Sequence, residues 1–159
     1  MDSLIVPDLN VLRNWLDTLN IHWFECDSCK ALHLQNMQNF DGIFDVKIDL
    51  IDEIILFSAL AEVKPTALIP LVANLSHINA SSLTAKAFVD IQDDDLPHLV
   101  VCQTLDASAS ISYQQFVHFI KRSEDQTLMI MAEACSDHLL MSEEDDSIKM
   151  YEKASLSLH

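Results

Sequence analysis

Between Phe44 and Leu50, apolar residues alternate with charged ones: Phe44, Val46, Ile48 and Leu50 are interleaved with Asp45, Lys47 and Asp49. A period of two puts each set on its own side of an extended chain, so this stretch predicts a strand with one wet face. Asp52-Glu53 follows as a turn. Residues 54–63 are apolar at both parities, which predicts a central strand covered on both faces. Upstream the spacing changes. Leu9, Leu12, Leu16 and Leu19 recur at helical intervals beside Trp15, Pro7 suits the first turn, and Asn20 is a natural stop. Residues 21–25 and 31–34 predict two short strands around Asp27-Ser28.

Pro65 and Thr66 open a second helix whose predicted buried stripe is Leu68, Leu71, Val72 and Leu75, with Asn79 ending it. Residues 83–91 and 96–105 predict a hairpin with an acidic tip at 92–95, and Pro97 is tolerable at the start of the return strand. Ser112 then caps a long third helix. Tyr113, Phe116, Val117, Ile120, Leu128 and Met131 form its inward side, and Lys121, Arg122, Glu124 and Asp125 its exposed middle. The order is α-β-β-β-β-α-β-β-α, an α+β domain of two layers. Its antiparallel sheet of about five to six strands is covered by three helices. Residues 1–140 form the expected single domain. Residues 141–159 begin Met-Ser-Glu-Glu-Asp-Asp, have weak periodicity, and predict an acidic, flexible tail.

Composition narrows the chemistry. Gly42 is the single glycine in 159 residues, where usage of about 7% would give roughly eleven. A phosphate-cradling loop, a dinucleotide fingerprint and a nucleophile elbow all need several glycines, so none can be drawn here. Nine basic against 25 acidic side chains leave a net charge of −16. That field repels nucleic-acid backbones and anionic membrane surfaces, and it suits a basic or apolar protein partner. The N-terminus lacks a basic region followed by an apolar stretch, and no window is apolar enough to span a membrane. With four cysteines and no leader pattern, the expected compartment is the reducing cytoplasm.

Cys26-x-x-Cys29 is the sharpest chemical candidate. The spacing can supply two thiolates to a metal or form a redox dithiol. Structural zinc needs four ligands and no second pair follows; His22 and His33 complete a site only if the fold brings them round. Redox pairs of this spacing normally sit at a helix N-terminus, whereas this one lies between strands. Ordinary turn cysteines are therefore the first reading, a metal site the second and a redox pair the third. Cys102 and Cys135 read as small buried hydrophobes, and His118 as a helix residue able to meet a neighbour. The acidic tip with Asp90 lacks the ligand alternation, glycine and terminal glutamate of a calcium loop, so it reads as solvated. No His–carboxylate–nucleophile set stands out; no catalytic residue and no cofactor are expected. Gly42 is expected to take a positive φ. With Phe40 and Asp41 it forms either a tight turn into the next strand or a recognition loop with Phe40 exposed as an anchor.

The stretch Glu25-Cys26-Asp27-Ser28-Cys29-Lys30-Ala31-Leu32-His33-Leu34, followed by Met37-Gln38-Asn39-Phe40-Asp41-Gly42-Ile43-Phe44-Asp45, resembles the YbjN family of bacterial proteins, described as sensory transduction regulators. Lys47 to Asp52, Asn79 to Leu83 and Leu99 to Gln103 extend the likeness, which runs from Leu4 to about Glu133. The resemblance implies a fold like that of type III secretion chaperones, which are small, acidic, usually dimeric, and bind extended client segments. It implies a role in motility, exopolysaccharide and stress control, and supplies no active-site residues. The expected function is a non-enzymatic cytoplasmic regulator that binds proteins, with a homodimer as one expected assembly. The alternative is a metal- or redox-dependent sensor using Cys26 and Cys29.

Overall fold

Asp8 starts the first helix by accepting a 2.9 Å hydrogen bond from the Val11 N–H, which satisfies one of the unpaired donors of the first turn. In the computed structural model, which describes residues 3–93 and 95–142, this helix is α1 (Leu9–Thr18). Its buried side chains are Leu12 and Leu16, as the spacing predicts. Pro7 lies just outside it, and Asn20 takes φ 55°, the left-handed conformation that asparagine tolerates beyond a helix end.

Two short strands, β1 (Trp23–Phe24) and β2 (Leu32–Leu34), pair antiparallel around the cysteine turn. A one-turn helix, α2 (Gln35–Gln38), follows, making four helices where three were expected. Four residues are too few for a periodic signature, which is why the pattern missed it. The alternating stretch is β3 (Ile43–Ile51), and the doubly apolar run is β4 (Ile54–Glu62), flanked on both sides by other strands. Asp52 (φ 49°) and Glu53 (φ 63°) join them in a two-residue turn with both central residues left-handed, matching the strands' twist. One detail of β3 departs from simple alternation. A bulge between Ile43 and Asp45 brings Ile43 into the core and leaves Phe44 59% exposed.

A 3-10 turn at Pro65–Ala67 leads into α3 (Leu68–Ser81). Its inward stripe runs through Ala67, Leu71, Leu75 and Ile78; Val72, expected inside, is half exposed. Asn79 does not end the helix. Its side chain accepts from the Ala87 N–H (2.8 Å) and donates to the Ala87 carbonyl (3.0 Å), pinning the edge strand β5 (Lys86–Asp90) like a strand neighbour. β6 (His98–Asp106) returns beside it, giving one six-stranded antiparallel sheet in the order β1-β2-β3-β4-β6-β5.

The last helix, α4 (Tyr113–Ser136), opens with a reciprocal cap in which Ser112 and Gln115 satisfy each other's backbone N–H. Phe116, Ile120, Ile130, Met131 and Ala134 face the sheet, while Leu128 is only half-buried. Two polar residues, Ser123 and Thr127, also lie fully buried on this face, and their hydroxyls have no hydrogen-bond partner. Glu124, expected in the exposed middle, is half-buried; desolvation, with Asp125 beside it, raises its carboxyl pKa.

Leu12, Leu16, Leu71, Ile78 and the inward residues of α4 join Val46, Ile48, Phe57, Leu99 and Val101 in one core between the helices and a single sheet face. Past α4 the chain reverses at His138 (φ 58°) and runs along the end of β4. The Lys64 N–H bonds to the Leu139 carbonyl, and the Met141 N–H to that of Glu62. Met141 is thus buried in the domain, one residue beyond the expected boundary at 140. Residues 143–159, the rest of the expected tail, lie outside the described residues. Among the described residues no helix is long and apolar enough to cross a membrane.

Candidate functional site

The β1–β2 corner is tied to α1 before any chemistry is considered. The Trp23 indole donates to Asp17 (2.8 Å), and the Arg13 guanidinium bonds Glu25 while lying 5.8 Å from the centre of the Trp23 ring. Cys26 and Cys29 sit in the turn that follows. Their sulfurs are 2.8 Å apart, and both side chains are partly exposed.

The third member comes from β2. Strand alternation turns Leu32 and Leu34 into the core and His33 to the opposite face. There the His33 Nε2 lies 3.2 Å from the Cys29 sulfur. Phe24, directly opposite His33 in the β1–β2 register, stacks on the imidazole with ring centres 5.0 Å apart and planes at 17°. His33 is consequently buried, at 8% exposure, although it is on the sheet face away from the helices. The β2–β3 register sets His33 beside Lys47, and one pleat further along the same face is Asp45. Its Oδ1 accepts a 2.9 Å bond from His33 Nδ1 and a 3.0 Å bond from the Gln38 amide. The result is a continuous chain from Cys26 through Cys29, His33 and Asp45 to Gln38.

This arrangement divides the labour between the thiols. The hydrogen bond from Cys29, then the Ser28 hydroxyl and backbone, then His33, lower the Cys26 pKa to about 6. The same bond makes Cys29 the donor and raises its pKa. Burial alone would lower the His33 pKa; hydrogen bonds and negative charge from Asp45 and Cys26 outweigh it, and the net shift is upward. Cys26 is therefore the more acidic thiol of the pair, and its thiolate is the form that reacts.

A second feature adjoins this chain. Residues 38–44 curve around Gly42, which takes φ +93° as expected. They wall an open cavity of about 440 Å³ together with Glu62 and Met141. Phe40, the exposed anchor in one of the two sequence readings of this loop, is half-buried against the core; the exposed aromatic of the cavity wall is Phe44, stacked on His98 at 5.8 Å. Asp41 and Glu62 bring negative charge to the same rim.

Of the residues singled out from sequence, the fold brings Cys26, Cys29 and His33 together and leaves His22 outside. Among the described residues these are the one set of three such donors close enough to share an ion, with ligand atoms all within 4.8 Å of one another. Cys102 is buried on β6, Cys135 half-buried on α4 and His118 exposed. Asp45, Gln38 and Phe44 were not anticipated as site residues. The alternation of β3 placed Asp45 on the wet face, but only the register shows that His33 shares it.

The YbjN family, described as "Putative bacterial sensory transduction regulator", matches residues 8–135. The chain is 58% identical over 146 residues, 92% of both chains, to the uncharacterized protein YbjN of Escherichia coli K12, and equally to that of Shigella flexneri. Its fold is similar to the crystal structure of YbjN from E. coli, described as "a putative transcription regulator", with TM-score 0.86 and 59% identity over 88% of this chain and 99% of that one. An uncharacterized protein from Methanothermobacter thermautotrophicus shares the fold, with TM-score 0.52 and 12% identity over 80% of this chain and 96% of that one.

Proposed function

The chain belongs to the YbjN family, and from that premise we propose that it is a regulator that works by binding another protein and catalyses no reaction. The observation that carries this reading is the cavity at residues 38–44. It pairs an exposed aromatic, Phe44, with two carboxylates, Asp41 and Glu62, around a corner that only glycine occupies without strain. Such a site suits a lysine or arginine of a partner segment, with its apolar stem on the phenyl ring and its charged head between the carboxylates. The net charge of −16 steers basic segments toward it and phosphate backbones away. Regulation is then exerted through proteins rather than by direct contact with nucleic acid. A cytoplasmic setting, a chaperone-like grip on extended clients, a homodimeric assembly, and outputs in motility, exopolysaccharide and stress responses belong to the same reading. The cytoplasmic setting rests on cysteine usage and the others on the resemblance.

The test is a photo-crosslinking amino acid placed at Phe44 in cells, with Gln114, exposed on the far helix α4, as the control position. A small, reproducible set of proteins should crosslink from position 44 and not from 114. It should disappear when Asp41 and Glu62 are changed to lysine, and a synthetic copy of the crosslinked segment should bind the purified protein. Identical adducts from both positions, or none at 44 across growth phases, overturn the reading.

A further inference from the structure

We propose that Cys26, Cys29 and His33 bind one thiophilic divalent metal ion, zinc being the ion their donors fit, with Asp45 as the residue that positions the histidine. The inference rests on four features of the site and is independent of any protein partner.

The donor set is the first. Two sulfurs and one imidazole nitrogen lie within 4.8 Å of one another, and soft sulfur with imidazole selects zinc over the hard cations that prefer oxygen. At bond lengths of about 2.3 Å to sulfur, tetrahedral zinc holds two thiolates roughly 3.8 Å apart. The 2.8 Å separation here must therefore widen by about 1 Å on binding, a motion that a partly exposed turn can make.

The second is the orientation of the histidine. With Nδ1 bonded to Asp45 at 2.9 Å, Nε2 is the ring nitrogen that faces the thiols and that a bound ion would take up. A carboxylate behind a histidine in this way is the recurrent outer shell of zinc sites, fixing the tautomer and raising ligand basicity. Gln38 holds Asp45 in turn (3.0 Å), and Phe24 covers the imidazole face. A simple dithiol–disulfide pair has no need of this chain of support.

Third, the proton and charge balance is favourable. The ion displaces the protons that the cluster still holds to solvent, so that both cysteines bind as thiolates and His33 as neutral imidazole, and the two thiolates neutralise the two positive charges. Lys47, the cation in register with His33, is drawn toward Asp49 (3.8 Å). Fourth, two donors on a partly exposed turn and one from β2 leave one coordination position for water or an incoming ligand. That is the pattern of exchangeable rather than closed structural sites.

The experiment titrates full-length, reduced protein with Co²⁺ and then Zn²⁺. One cobalt per chain should bind with sulfur-to-cobalt charge-transfer absorption in the near ultraviolet, and zinc should displace it stoichiometrically. Cys26→Ser, Cys29→Ser and His33→Ala should each abolish stoichiometric binding. Asp45→Asn should keep the charge-transfer band but weaken zinc about 10- to 100-fold. Because a variant can fail to fold, melting curves accompany each, and a measurement on the unaltered chain stands beside them: zinc should slow alkylation of Cys26, and EDTA should restore it. Reduced wild-type protein that takes up neither metal overturns the proposal. So does a folded His33→Ala protein that binds as tightly as wild type. A chain that ignores both metals and closes a Cys26–Cys29 disulfide under mild oxidation overturns it in favour of a redox pair.

Discussion

Replacing Gly42 by alanine should cost the domain about 2–4 kcal/mol, and two structural facts set that figure. At φ +93° an L-residue is strained, by about 1–3 kcal/mol for such sparsely populated backbone regions. A Cβ at this position would also stand 3.2 Å from Leu140 Cδ1 and 3.7 Å from Leu140 Cβ. Leu140 is 3% exposed and held by a strand bridge to Val63, so it has little room to yield; that crowding adds on the order of 1 kcal/mol. For a domain of this size each kcal/mol lowers Tm by about 2–4 °C, so Gly42→Ala should melt about 4–16 °C below wild type. Valine, branched at Cβ, should be worse. Urea unfolding followed by the fluorescence of Trp15 and Trp23 gives the free energies for wild type, G42A, L140A and the double variant. Leu140→Ala removes the crowded neighbour, so alanine at 42 should cost only its backbone strain in that background. A Gly42→Ala protein within about 0.5 kcal/mol of wild type would falsify the reasoning, because the backbone demand would then be absent.

The thiol pair makes a kinetic prediction. Cys26 is lowered to about 6 from 9.0 chiefly by its hydrogen bond with Cys29, and the thiolate is the form that reacts. In reduced, metal-free protein its alkylation by iodoacetamide should therefore climb through pH 6 and level off near neutrality. Cys29→Ala should move the midpoint upward. A wild-type profile still rising steeply above pH 8, as for a free thiol of pKa about 8.5, would contradict the geometry. In the core, Thr127 buries a hydroxyl without a partner, and such a group costs about 1–3 kcal/mol. Thr127→Val keeps the shape and should raise stability by about 1 kcal/mol or more; a lower Tm would mean that the hydroxyl is satisfied by a buried water.

Periodicity carried most of the architecture because it is a local quantity. Val46 and Ile48 face the core because alternate residues of a strand share a side, and Leu12 and Leu16 do because residues four apart share a helical face. Four features escaped for reasons that are equally physical. The one-turn helix α2 is shorter than the period that would announce it. Phe44 left the apolar row because a bulge adds a residue to one strand, and bulges depend on the pairing partner. Val72 turned outward because the buried stripe of α3 runs through Leu71, Leu75 and Ile78, which leaves it on the flank. Asn79 looked like a helix stop because asparagine often is one, whereas here it completes the edge of the sheet.

The surroundings of the cysteine pair were illegible for a related reason. From sequence alone two thiols lacked further ligands, and His33 was conditional on where the chain went. The fold supplies the condition through two pairings. Phe24 opposite His33 closes the imidazole from water, and His33 beside Lys47 places Asp45 one pleat away on the same face. Neither pairing leaves a mark on any short stretch of sequence, since each side chain is ordinary where it stands. The register also joins the two regions that looked separate. Asp45 Oδ1 accepts from His33 on one side and from Gln38 on the other, and Gln38 belongs to the wall of the cavity around Gly42. One carboxylate oxygen thus serves both the thiol–imidazole cluster and the loop that would meet a partner. Any event that moves His33 must redistribute a hydrogen bond that Gln38 shares. If the cluster binds an ion and the loop a partner, as proposed, that shared oxygen joins the two sites.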